Sequence, residues 1–85
     1  MSAKQPSLYQ QVVQITHVYL GPPAERFISR QVENHLHKPP EELSHPDLRS
    51  LIVWIRAVVS LITDDVEIIE EYISELEKLA DKESA

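Results

Sequence analysis

The helix-breaking residues of this chain are confined to a few points. One glycine, Gly21, and six prolines occur in 85 residues, the prolines at Pro6, Pro22, Pro23, Pro39, Pro40 and Pro46. Between these points lie uninterrupted stretches that a helix can use, and no stretch shows the strand-like alternation bounded by hairpin turns that a sheet requires. The chain is therefore read as all-α, a four-helix bundle with helices at about 7–20, 23–37, 45–63 and 65–81. Its corners fall near Gly21, at Pro39 and Pro40, and at Thr63 and Asp64.

Each helix carries its own pattern. Leu8, Val12, Ile15 and Tyr19 are spaced by four, three and four, one stripe of the first helix, and Pro6 and Ser7 suit its first turn. Gly21 is expected to close that helix with a positive φ, and the prolines behind it cannot continue it. Ala24, Phe27, Ile28, Val32, His35 and Leu36 share a face of the second helix. Ser44 and Asp47 have the spacing of a capping box at the start of the third. Asp64 and Asp65 suit the positive end of the fourth helix dipole, and Val66, Ile69, Ile73, Leu76 and Ala80 line its apolar side. All 85 residues form one domain, with the ends, 1–5 and 82–85, expected to fray.

The charge is lopsided. Six Lys/Arg and five Asp/Glu precede Asp64, whereas nine acids and two lysines follow from it, for a net charge of −6. Such a chain is repelled by phosphate backbones and anionic lipid, which disfavours nucleic acid and membrane surfaces as partners. The first residues lack the apolar core of a signal peptide, and the longest apolar run, LIVWIRAVVSLI, is interrupted by Arg56 and too short to span a bilayer. A cytoplasmic protein is expected.

Little here points to catalysis. With no cysteine, neither a disulfide nor a thiolate metal site is available. His35 and His37 stand two apart, on different faces of a helix, and His17 and His45 have no ligand spacing. The carboxylates of DDVEIIEEYISELEK read as the solvated side of an amphipathic helix. One glycine cannot make a phosphate-binding loop or a nucleophile elbow. The expectation is no enzyme, no metal and no cofactor. Arg26 and Arg30, one turn apart with Gln31 beside them, are the positions at which a small DNA-binding regulator would touch phosphates. Pairing with Glu33 or with the last helix is the simpler account of them.

The third helix exceeds what one core needs. With Leu48 at zero and ~100° per residue, Arg49, Arg56, Ser60 and Thr63 fall within a strip between about 60° and 120°, and nearly all the remaining ~260° is apolar. A surface helix needs little more than ~100°. Either the other helices wrap this one, or one flank is a partner surface. That flank carries Ser50, Val53, Trp54, Ala57 and Leu61, small residues around one large aromatic. Val53, Trp54, Ala57 and Leu61 are therefore the candidate centre of a homodimer interface. The acidic outer side of the last helix suits the steering of a basic partner.

The stretch VYLGPPAERFISRQVENHL, followed by DLRSLIVWIRAVVSLITDDVEIIEEYISELEKL, resembles a small helical module found at the C-terminal ends of bacterial serine/threonine kinases and response-regulator-like signalling proteins. Leu20, Gly21, Pro22, Ala24, Asp64 and Asp65 carry the likeness. No kinase or receiver domain accompanies them here, so the module stands alone or belongs to something longer. The resemblance implies a regulatory or docking role in bacterial signalling and brings no catalytic residues with it.

Overall fold

The computed structural model describes residues 7–82. Four helices follow in order: α1 (Leu8–Leu20), α2 (Ala24–Leu36), α3 (His45–Ile62) and α4 (Val66–Asp81), with a short 3₁₀ turn, Pro40–Glu42, between α2 and α3. The chain is an all-α four-helix bundle. Each helix packs on the two beside it in the cycle α1–α2–α3–α4–α1. The expected fraying of 1–5 and of 83–85 lies outside the described residues, and Lys82 caps the end of α4. No helix among the described residues is long and apolar enough to cross a membrane.

Local chemistry sets the helix boundaries. Ser7 Oγ accepts from the Gln10 amide (3.1 Å) while Gln10 Oε1 accepts from the Ser7 amide (3.2 Å), a reciprocal box that starts α1. Ser44 and Asp47 do the same for α3, at 3.2 and 3.3 Å. Asp65 Oδ1 accepts from the Ile68 amide to start α4. The Asp47 carboxylate also receives Lys38 Nζ at 2.6 Å, which ties the loop after α2 to the start of α3. The bond from Lys38, with those from Ser44, holds the Asp47 carboxyl below its ordinary range.

The corner at Gly21 is tight, and Gly21 has the expected positive φ. Its φ is 80° and its ψ −154°, which is not the left-handed helical cap but a region that only glycine enters readily. Pro22 and Pro23 form the turn, and α2 begins one residue later than expected, at Ala24. The left-handed cap is instead His37, at φ 56° and ψ 42°, closing α2.

Val12, Ile28, Val32, Leu48, Leu51, Ile55, Ile73 and Leu76 are fully covered and make the centre of the core. Leu43, just after the 3₁₀ turn, is buried with them. Tyr72 of α4 is the largest fully buried side chain, and its hydroxyl lies 2.7 Å from Thr16 Oγ1 of α1. The single Thr16 hydroxyl proton is directed to the Val12 carbonyl at 2.8 Å, so Tyr72 donates to Thr16. Burial pushes the Tyr72 phenol up to about 12. Tyr19 lies against the same ring, centroid to centroid 5.2 Å. This cluster joins the first helix to the last and closes the cycle.

Three substitutions test these assignments. Because nothing lies within 4 Å of a Cβ added at Gly21, any cost of Gly21→Ala comes from the backbone alone. Urea unfolding should show a loss of ~1–3 kcal/mol, and an unchanged midpoint would refute the strained corner. Thr16→Val strands a buried hydroxyl and should cost ~1–3 kcal/mol, whereas Tyr72→Phe removes the donor itself and should cost about 1 kcal/mol or less. The reverse order of these two losses would overturn the direction assigned to the hydrogen bond.

Candidate interaction face

Two ion pairs set α3 against α4. Arg49 Nη2 meets Asp81 Oδ1 at 2.7 Å, and Arg56 Nη1 meets Glu70 Oε2 at 2.8 Å. The earlier α3 residue pairs with the later α4 residue, so the two helices run antiparallel. The polar strip of α3 is thereby turned along the α4 side. The second guanidinium nitrogen of Arg56 reaches Glu70 Oε1 at 3.3 Å, a bidentate contact that lowers the Glu70 carboxyl and raises the guanidinium. These pairs are exposed and fix register more than stability.

With that strip placed, α3 shows two apolar faces. Taking Leu48 as zero, Leu51, Ile55, Val59 and Ile52 fall between about 300° and 40°, and all are buried in the core. Val53, Ala57, Ser50, Leu61 and Trp54 fall between about 140° and 240°, roughly opposite, and all are exposed. Val53 is 68%, Trp54 49% and Leu61 87% accessible. The alternative in which the other helices wrap α3 is not what the chain does. Within a cycle of four helices α3 has α2 on one side and α4 on the other, and its outer side faces away from both.

Among the described residues Trp54 makes one ring-to-ring contact. The His35 imidazole of α2 stacks on the indole with centroids 4.2 Å apart and planes at 8°. His35 was placed on the inner face of α2 by its spacing, but spacing along α2 cannot reveal a ring on α3. The stack fixes the indole against α2 and leaves the rest of its surface at the edge of the exposed stripe.

The remaining candidates are scattered. Arg26 and Arg30 are both exposed, and neither makes an ion pair among the described residues, so the expected pairing with Glu33 or the last helix is absent. Gln31 does not accompany them outward. It is 8% accessible, and its Oε1 has no hydrogen-bond partner. Among the described residues no group of three or more His, Asp or Glu stands close enough to hold a metal ion. His17 is exposed, and His37 serves as the α2 cap. Glu67, Glu70, Glu71 and Glu77 lie on the solvent side of α4, as their spacing implies. Open grooves occur among the described residues, such as that between Tyr9, Pro23, Glu25 and Arg26.

The stack is directly testable because Trp54 is the only tryptophan. His35→Ala should move its fluorescence emission to longer wavelength and cost about 1 kcal/mol in unfolding free energy. Unchanged emission and stability would show that the stack contributes nothing. Comparison of the chain with protein-family models, with curated proteins and with solved structures finds no match, so the likeness to signalling modules stands on its residues alone.

Proposed function

We propose that this chain is a non-enzymatic protein–protein interaction module that self-associates through the outer face of α3, with Val53, Trp54, Ala57 and Leu61 at the centre of a homodimer. The observation that carries this reading is the second apolar stripe. It is ~100° wide, the width a helix normally buries, and it lies on the side its own bundle leaves open. A stripe of this width in water forgoes burial worth ~25 cal/mol per Å² and invites association. Self-pairing covers the same face twice with one contact, and two-fold dimers are the commonest oligomers. The setting, a regulatory system of bacterial signalling, comes from the resemblance carried by Leu20, Gly21, Pro22, Ala24, Asp64 and Asp65.

One observation favours a second reading, a DNA-binding regulator working through α2. Arg26 and Arg30 are exposed and unpaired among the described residues. Against it stands the net charge of −6.

Light scattering at micromolar concentration should give twice the chain mass. Ala57→Arg places a charge in the middle of the stripe at an exposed position, and should give a monomer with its helical circular dichroism intact. A monomeric wild type would overturn the reading. Binding of random duplex DNA that weakens steeply with salt would favour the second one.

A further inference from the structure

Side-chain size alternates along the midline of the exposed stripe of α3, with Val53 on the edge nearest the polar strip. Ser50, Trp54, Ala57 and Leu61 are spaced by four, three and four, which is the seam of a helix pair and reads the same in both directions. The sizes run small, large, small, large. A parallel pair in register would set Trp54 against Trp54 and Leu61 against Leu61, while Ser50 and Ala57 faced their own kind. The large pairs would force the helices apart and leave voids at the small ones.

An antiparallel pair centred between Trp54 and Ala57 has neither fault. Each large residue meets a small one: Trp54 meets Ala57 of the second copy, and Leu61 meets Ser50 of the second copy. The operation is a two-fold axis perpendicular to the helices, so both halves of the contact are the same. The indole enters from the α2 side already held by His35, so pairing does not have to order a free ring. Arg56, next to the axis in sequence, lies on the rim of the stripe with its charge engaged by Glu70. Two copies can therefore approach along this edge without bringing unpaired guanidinium groups together.

We infer that the occupant of the exposed α3 face is a second copy of this chain lying antiparallel, with Trp54 over Ala57 and Leu61 over Ser50. This rests on the self-association proposed above and adds its orientation and register.

The chain has no cysteine, so introduced thiols report without interference. Ser50→Cys and Leu61→Cys alter exposed positions outside the core. In the antiparallel register the two sites face each other across the pair, while each lies ~16 Å along the axis from its own counterpart, eleven residues at 1.5 Å rise. A disulfide needs Cα atoms within about 7 Å. Under mild oxidation of an equimolar mixture, the mixed Ser50→Cys/Leu61→Cys disulfide should exceed either homotypic one by about tenfold or more. Efficient homotypic linkage of each variant alone would indicate a parallel pair and overturn the register. A dimeric mass with no linkage in any combination would overturn it too, placing the contact on another surface. A monomeric mass for the untreated wild type would instead remove the self-association beneath it. The outcomes separate a wrong register from a wrong interface.

Discussion

A helix that is apolar on two opposite sides cannot be fully covered by a bundle in which it has only two neighbours. α3 is in that position. Leu48, Leu51, Ile52, Ile55 and Val59 supply its share of the core. Arg49 and Arg56, held by Asp81 and Glu70, lock the rotation of the helix against α4. Turning α3 to bury Val53 and Trp54 would move Leu51 and Ile55 outward and pull both arginines away from their carboxylates. The exposed stripe thus follows from the same registry that builds the core, and the surface of the molecule is organised around it.

The other helices complete the side of α3 that is covered. α1 and α4 meet through Thr16, Tyr72 and Tyr19, and this contact closes a chain whose two ends would otherwise be joined only through α2 and α3. The buried hydroxyls specify one alignment, because a one-turn slip of α1 would leave the Tyr72 hydroxyl without its acceptor. Of the buried polar groups among the described residues, Gln31 is the exception, its oxygen having no donor.

Much of this was legible in the sequence, for physical reasons that differ between elements. The helix boundaries fall within about a residue of expectation because capping residues and prolines act over three or four positions, a range that sequence records. The breadth of the apolar arc on α3 was likewise readable, since it needs only the helical repeat. Which part of that arc is covered was not, because it depends on which helices become neighbours. Thr16 and Gln31 were missed as inward residues because polar side chains read as outward. Thr16 stands four residues after Val12, the one signal that placed it on the inner stripe. The Gly21 corner was legible as a positive φ, whereas its ψ is set by how Pro22 and Pro23 redirect the chain. The His35 stack required the position of a second helix.

Charge and apolar surface together bear on where two such acidic chains approach most closely. α4 carries six of the fourteen acids, and those on its two flanks have different surroundings. Glu71 and Glu75 lie toward Tyr19 of α1, while Glu70 and Glu77 lie toward Arg56 of α3. The α3 side is therefore the one on which carboxylates are offset by guanidinium groups, through Arg56 with Glu70 and Arg49 with Asp81. On the α1–α4 side Glu75 is likewise offset, by Lys78 at 3.5 Å, so what sets the α3 side apart is its apolar stripe rather than its charge balance alone. A copy approaching α3 meets an apolar stripe beside neutralised pairs. The arginine strip that fixes how α3 sits in its own bundle also lowers the electrostatic cost of pairing on the face it leaves open.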